Sequence, residues 1–210
     1  ISTSAVAGLS ASQLPNLSSG IISGLNSAQL NALGTGQIRL LTGDQITALS
    51  TEALSKLTTS QLSALSTLQI SKLTNEQIGA LTTAQVSTMG STQAAALTTD
   101  QLTAMGTETI KALTSAQVQG LTAAQINAMT VDQLGALDDV DVAFIATTQI
   151  TKLSNEALQN LNTAQVQKLT SAQLQQLTTA QVNALEVDDV AKLESSQIQS
   201  LTTAQVSKLD

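Results

Sequence analysis

Aliphatic residues return at two fixed places in an eight-residue repeat that runs through the whole chain. Leucine, or in a few repeats methionine or isoleucine, occupies every eighth position from Ile1 to Leu209 without an insertion or deletion. Numbering that residue as position one of each octad, a second aliphatic residue stands at position six, as in the pair Leu81 and Val86. A fixed period indicates that each octad is one structural unit of an array.

Neither a continuous helix nor a strand accommodates both apolar positions. At about 100° per residue, positions one and six lie about 140° apart on a helix, and the pattern rotates by about 80° in each octad. In a strand, the two positions fall on opposite faces. We therefore predict a short helix that runs from position three to about position eight and restarts in every octad.

Positions two and five account for the restart. Position two is mostly Thr, Ser, Asn, Asp or Gly, which are the preferred N-cap residues, and position five is mostly Gln. Thr-x-x-Gln is a capping box, and positions one and six then form the hydrophobic staple around the helix start. Representative caps are Thr82 with Gln85, Thr114 with Gln117 and Thr202 with Gln205, and the matching staple pairs are Leu81 with Val86, Leu113 with Val118 and Leu201 with Val206.

The charged residues indicate the same helix polarity. All 15 acids lie at positions two to five, and all 8 bases lie at positions seven and eight. The helix dipole favours acids near the N-terminus and bases near the C-terminus. These patterns predict an all-α fold, an α-solenoid of very short capped helices with one helix per octad. We expect one continuous solenoid over residues 1–210, with degenerate N-terminal octads in residues 1–33.

Two features of the array allow further interpretation. Alanine recurs at position eight every sixteenth residue from Ala32 to Ala128, which indicates two helices per superhelical coil. A Thr-rich β-solenoid is the alternative fold, because Thr, Val and Ile favour strands.

The composition limits the chemistry of the chain. His, Cys, Trp and Tyr are absent, and Phe144 is the only aromatic residue. Without His or Cys there is no Ser-His-Asp triad and no thiol nucleophile, so we expect no enzymatic activity and no cofactor. A net charge of −7 argues against a nucleic-acid partner. No run of about 18 apolar residues is present, so we expect no membrane insertion.

Two sets of residues allow a binding hypothesis beside a purely structural one. Asp138, Asp139 and Asp141 share one octad and are candidate Ca²⁺ ligands, although no glycine turn or distal glutamate completes a calcium loop. The same three aspartates are also explained as residues of a first helical turn, where the helix dipole favours negative charge. Threonines at positions two and three, such as Thr82 and Thr83, form a regular hydroxyl row, and capping explains position three only in part.

Segments such as 113–118 and 201–206 resemble the Leu-Thr-x-x-Gln-Val-x-x tracts of large secreted bacterial surface and adhesin-type proteins. The resemblance covers nearly the whole chain and implies an extracellular or cell-surface location. It implies a stalk, spacer or filament-forming subunit that self-associates or packs on neighbouring repeats of a longer chain. The alternative is an adhesin-like module whose threonine face binds a cell-surface glycan, a protein or ice.

Overall fold

The computed structural model describes residues 1–185 and 187–209, and it is built from helices of four to six residues. Every α-helix in these residues begins at position three of its octad, and two octads form a 3₁₀ helix instead, Leu14–Asn16 and Asp141–Phe144. No β-strand occurs in the described residues, so the all-α solenoid is confirmed and the β-solenoid alternative is wrong.

The chain forms two compact units, Ile1–Ala112 and Leu113–Asp210. The prediction of one continuous solenoid over residues 1–210 stays a prediction. The first unit contains α1 Thr3–Ala7, α2 Ser19–Ser23, α3 Ser27–Asn31, α4 Thr35–Ile38, α5 Gly43–Ala48, α6 Thr51–Ser55, α7 Thr59–Ala64, α8 Thr67–Lys72, α9 Asn75–Gly79, α10 Thr83–Ser87, α11 Ser91–Ala95, α12 Thr99–Thr103 and α13 Thr107–Lys111. The second unit contains α14 Ser115–Gly120, α15 Ala123–Ala128, α16 Val131–Ala136, α17 Thr147–Ile150, α18 Asn155–Gln159, α19 Thr163–Lys168, α20 Ser171–Gln176, α21 Thr179–Ala184, α22 Val187–Val190, α23 Ser195–Ser200 and α24 Thr203–Val206.

The core of each unit is a column of position-six side chains, most of them closed off from solvent, flanked by the leucines of position one. Leu54, Leu62 and Ile70, for example, have no exposed surface. Burial of one such side chain contributes about 1.5–3 kcal/mol. The degenerate N-terminal octads keep this core, because Val6 and Leu14 are as fully buried as their counterparts later in the chain.

Successive turns of the superhelix are formed by helices three octads apart. In the first unit α5 packs on α2 and α8 packs on α5, and in the second unit α21 packs on α18 and α24 packs on α21. Hydrogen bonds between turns join residues 25 to 31 apart, so one turn takes between three and four octads. The prediction of two helices per coil was therefore wrong. The alanine side chains at position eight do not determine the stacking. The contact between turns is made by the backbone carbonyl oxygen of position eight, which every residue type provides.

Position seven makes this contact with the next turn. In several octads its side chain donates a hydrogen bond to the carbonyl oxygen of position eight, 25 residues later. The observed pairs in the first unit are Arg39 Nε to Ala64 at 3.2 Å, Thr47 Oγ1 to Lys72 at 3.0 Å and Ser63 Oγ to Thr88 at 2.8 Å. Those in the second unit are Asn127 Nδ2 to Lys152 and Gln167 Nε2 to Lys192, both at 3.1 Å. Adjacent turns therefore approach each other closely at this position.

Gly79 occupies position seven at one of these close approaches. A Cβ atom added there would lie 3.0 Å from the carbonyl oxygen of Ala104, which is backbone and gives way only if the turn shifts. Gly135 occupies the same position in its own octad, but nothing lies within 4 Å of a Cβ atom added there.

We expect Gly79→Ala to destabilise the protein by about 1–3 kcal/mol, because overpacking against backbone outweighs the gain in helix propensity. Gly135→Ala is the matched control and should stabilise by about 0.5–1 kcal/mol. Urea unfolding followed by far-ultraviolet circular dichroism measures both. Equal effects of the two substitutions would contradict the close approach at Gly79.

Candidate functional site

Gln85 shows how position five closes its own helix. Its Oε1 accepts a hydrogen bond from the backbone N–H of Thr82 at 2.9 Å, and its own backbone N–H donates to Thr82 Oγ1 at 3.2 Å. This is the reciprocal pair of a capping box. Two of the backbone donors that a short helix leaves unpaired are satisfied within four residues.

The other half of the same carboxamide reaches the preceding turn. Gln85 Nε2 donates to the carbonyl oxygens of Leu54, 3.0 Å away, and Leu57, 2.9 Å away. These acceptors lie 31 and 28 residues earlier in the chain. Since Gln85 is only 2% exposed, all of these bonds form away from solvent. One side chain therefore caps its helix and fastens it to the turn below.

The arrangement recurs through both units, and we call it the glutamine ladder. Its members donate from Nε2 to the carbonyl oxygens 28 and 31 residues earlier: Gln45, Gln61, Gln69, Gln77, Gln85, Gln93 and Gln101 in the first unit, and Gln165, Gln173, Gln181 and Gln205 in the second. All of them are buried.

The ladder explains why position five is so often Gln and never Glu. Either residue completes a capping box, because both offer an acceptor oxygen. Only the carboxamide also offers N–H donors, and a buried carbonyl left without a donor costs about 1–3 kcal/mol. The strict choice of Gln was thus a signal in the sequence for the contact between turns. The capping box predicted from the sequence involves only the acceptor oxygen of this side chain.

The other representative caps have the same geometry. Thr114 N–H donates to Gln117 Oε1 at 2.7 Å, and Thr202 N–H donates to Gln205 Oε1 at 2.7 Å. Of the staple residues, Leu81, Val86, Leu113, Val118 and Leu201 are buried. Val206 is the exception at 49% exposed, because α24 is the last helix and no described residue packs over it.

Two of the three candidate calcium ligands, Asp138 and Asp141, make separate contacts. Asp141 takes the position of a ladder glutamine, is 5% exposed, and accepts a hydrogen bond from Ser115 Oγ of the preceding turn. Asp138 Oδ1 accepts from the backbone N–H of Val140 at 3.1 Å. Within residues 1–185 and 187–209, no three acidic side chains come together as metal ligands would. The structure therefore provides no geometry for calcium in this octad.

The threonines of position three lie in a file on stacked helices. Thr35, Thr59, Thr83 and Thr107 are the first residues of α4, α7, α10 and α13, and each of these helices packs on the previous one. Thr83 and Thr107 are exposed and Thr59 is half-buried. Position-two hydroxyls accept capping bonds, as Thr82 does, but the hydroxyls of this file form no hydrogen bond within the described residues.

Among the side chains in residues 1–185 and 187–209, Glu76 is the one whose pKa is clearly shifted. Hydrogen bonds from its own backbone N–H and from the Thr74 hydroxyl lower its pKa, while burial contributes little in the opposite direction. Because its pKa is lowered in the folded protein, Glu76 contributes stability at pH values above the ordinary pKa of glutamate. This contribution is lost as the pH falls through the lowered pKa. Because the side chain is fully exposed, the effect is screened by solvent.

The family of the chain follows from this repeat. A family model described as the ALTTAQ repeat matches residues 22–51, 73–107, 104–139 and 156–187, which together make up more than half of the chain. The chain belongs to the ALTTAQ repeat family. No curated protein matches it in a sequence comparison.

The letters of the ALTTAQ repeat correspond to parts of the ladder unit. Residues 80–85 read Ala-Leu-Thr-Thr-Ala-Gln, in which Leu81 is the staple, Thr82 the N-cap and Gln85 the ladder residue. Of the polar side chains in this segment, the position-three Thr83 is the one that forms no hydrogen bond within the described residues. None of the helices in the described residues of this ALTTAQ repeat protein is long and apolar enough to cross a lipid bilayer.

We expect Gln85→Ala to destabilise this ALTTAQ repeat protein by about 2–4 kcal/mol, because two carbonyls and the Thr82 N–H lose their partner. Gln85→Glu should cost more at neutral pH, since it places a carboxylate against two carbonyl oxygens. Acidification should reduce the difference in stability between Gln85→Glu and the parent chain, because the protonated carboxylic acid again has an O–H donor. Urea midpoints at neutral and acidic pH measure both variants.

The matched control is Gln176→Glu, which changes an exposed glutamine outside the ladder. It should leave the urea midpoint almost unchanged at both pH values. If Gln85→Glu were as mild as Gln176→Glu, the donor half of the ladder would not contribute to stability.

Proposed function

We propose that the chain is a non-enzymatic structural repeat protein that acts as an extracellular stalk, spacer or filament-forming subunit of a bacterial surface structure. The observation that carries the proposal is the glutamine ladder, in which eleven octads make the same bonds to the previous turn. Such a unit can be added or removed without redesign of its neighbours. A spacer needs this property, because its length is then set by the number of octads.

The composition supports an extracellular location for this spacer. The chain has no Cys, so an oxidising environment cannot form wrong disulfides in it. Its acids and bases are dispersed on helix termini, with an excess of acids that disfavours self-precipitation. The resemblance to secreted bacterial surface tracts points in the same direction. Self-association, or packing against further repeats, is the partner interaction that we propose.

The spacer proposal predicts that whole octads can be deleted but fractions of an octad cannot. Removal of residues 57–104 takes out six octads and preserves the phase of positions one, five and six. We expect this variant to remain helical and to unfold cooperatively. Its maximum dimension in small-angle scattering should fall by about 15 Å, at about 8–10 Å for each packed helical layer.

A deletion of residues 57–102 is the control, because it removes two residues fewer and shifts every later octad out of phase. We expect this variant to lose cooperative unfolding. An unchanged maximum dimension after deletion of 57–104 would contradict the spacer, whereas equal stability of the two deletions would contradict the ladder as its basis.

The second candidate function is an adhesin-like binding module. The observation that favours it is the file of Thr35, Thr59, Thr83 and Thr107, whose hydroxyls have no partner within the described residues. Hydroxyls repeated on successive turns offer a regular row of donors and acceptors. A cell-surface glycan is the partner that such a row fits best, because sugars carry hydroxyls at regular spacing.

Replacement of these four threonines by alanine tests the binding module. We expect loss of retention on a printed oligosaccharide array together with little change in helicity, because position three lies outside the caps. The control replaces Thr3, Thr51 and Thr99, which share position three but lie on other helices. Binding that survives the fourfold replacement, or is lost equally in the control, would argue against the threonine file.

A further inference from the structure

The second unit has an open cleft between two of its stacked turns. The volume of the cleft is about 350 Å³, and its walls carry Thr147, Thr148, Thr151 and Lys152 on one turn and Gln176 on the next. The helices of these two turns, α17 and α20, pack on each other. Each of the five lining side chains ends in a hydroxyl, an ammonium or a carboxamide group, so the cleft suits a polar ligand.

The position-seven contact that joins neighbouring turns elsewhere is missing at this cleft. Thr151 occupies position seven and Gln176 occupies position eight 25 residues later, which is the spacing of the bond from Gln167 to Lys192. The Thr151 hydroxyl forms no hydrogen bond in the part of the chain that the structure describes. The other described serines and threonines of position seven all donate to a carbonyl oxygen, namely Ser23, Thr47, Ser55, Ser63, Ser71, Ser87, Thr103 and Ser207.

The octad that forms one wall also departs from the repeat at its helix start. Residues 145–152 read Ile-Ala-Thr-Thr-Gln-Ile-Thr-Lys, and Ala146 at the N-cap makes no side-chain cap. Gln149 Oε1 accepts instead from the N–H of Ala123, 26 residues earlier, at 3.1 Å. This octad therefore lacks both its cap and its position-seven contact, although its core residue Ile150 is fully buried.

The backbone around the cleft is held by bonds that leave the lining side chains unused. Gln181 Nε2 donates to the carbonyl oxygens of Ile150 at 3.0 Å and Leu153 at 2.8 Å. Asn127 Nδ2 donates to the backbone carbonyl of Lys152 at 3.1 Å, while the Lys152 side chain is exposed. The glutamine ladder thus fixes the wall, and a ligand does not have to order it.

The lining side chains offer a defined set of groups to a ligand. All five are exposed, and within residues 1–185 and 187–209 none of them makes a side-chain hydrogen bond or ion pair. The three hydroxyls and the carboxamide both donate and accept, and Lys152 adds one positive charge. The matching ligand carries several hydroxyls and one negative charge.

We infer that this cleft binds an acidic sugar residue, a hexuronate of a carboxylated glycan. The carboxylate pairs with the Lys152 ammonium, and the sugar hydroxyls bond to the three threonines and to Gln176. A phosphate ester carries a charge of about −1.5 to −2 at neutral pH, which is more than one lysine balances. No aromatic side chain lines the cleft, so a nucleotide base has no surface on which to stack.

The inference goes beyond a spacer role, because it gives one octad of the array a ligand. It is also separate from the file of Thr35, Thr59, Thr83 and Thr107, which lies in the first unit and carries no lysine. A volume of about 350 Å³ lies within the range of about 300–1,000 Å³ that is common for small-ligand sites.

Trigalacturonate is the probe for this site, and its fully methyl-esterified form is the matched neutral ligand. We expect titration of the ¹⁵N-labelled full chain with trigalacturonate to move the amide resonances of Thr151, Lys152 and Gln176 in a saturable way. The ester should bind at least about fivefold more weakly, because it lacks the charge that pairs with Lys152. Inorganic phosphate has no sugar hydroxyls and should give no saturable shift at these amides.

Two variants locate the binding. Lys152→Gln removes the charge and should abolish the preference for the acid over the ester. Thr151→Gln supplies the side chain with which Gln167 reaches the next turn, so it should close the cleft and weaken binding at least about fivefold. Lys168→Gln is the control, because it removes an exposed position-eight lysine from another octad, and it should bind trigalacturonate as the parent chain does.

All three variants change exposed residues, so far-ultraviolet circular dichroism should show the helicity of the parent chain. Equal binding of acid and ester by the parent chain, unchanged binding by Thr151→Gln, or an equal loss in Lys168→Gln would overturn the inference. Shifts confined to amides of the first unit would overturn it as well, because they would place the sugar on the threonine file.

Discussion

Every structural feature of this chain depends on a constraint that very short helices impose on the backbone. A helix of four to six residues leaves almost all of its terminal N–H and C=O groups without intrahelical partners. Many of those groups, such as the carbonyls of Leu54 and Leu57, are buried where two turns meet, so they need a partner inside the protein. The buried carboxamide of position five meets this requirement on both sides at once, as acceptor for its own N-cap and donor to the previous turn.

Stability in such an array is a property of layers and not of single helices. An isolated helix of this length does not form in water, because the first turn is costly to nucleate. The staple residues bury apolar surface, whereas the glutamine ladder and the position-seven contacts give backbone N–H and C=O groups their hydrogen-bond partners. All of these contacts join residues no more than 31 positions apart. Each layer therefore forms as soon as its neighbour is present, and folding can proceed along the chain by addition.

The helices and their caps could be predicted from the sequence because their determinants are local. Thr82 and Gln85 are three residues apart, and that spacing carries the whole capping signal. The superhelical turn could not be predicted in the same way, since the partners of the Gln85 amide group lie 28 and 31 residues away. Alanine at position eight was misleading, because its carbonyl and not its side chain makes the contact.

The burial of the ladder also protects its glutamine side chains from slow chemical damage. Hydrolysis of a glutamine amide yields glutamate, and at position five that reaction would turn a donor to the neighbouring turn into a repelling carboxylate. The reaction requires water, and Gln85, Gln117 and Gln165 are at most 2% exposed. The three methionines, Met89, Met105 and Met129, are likewise buried from oxidants. The fold thus encloses the ladder glutamines and the methionines, so chemical damage to these side chains depends on how rarely the layers separate.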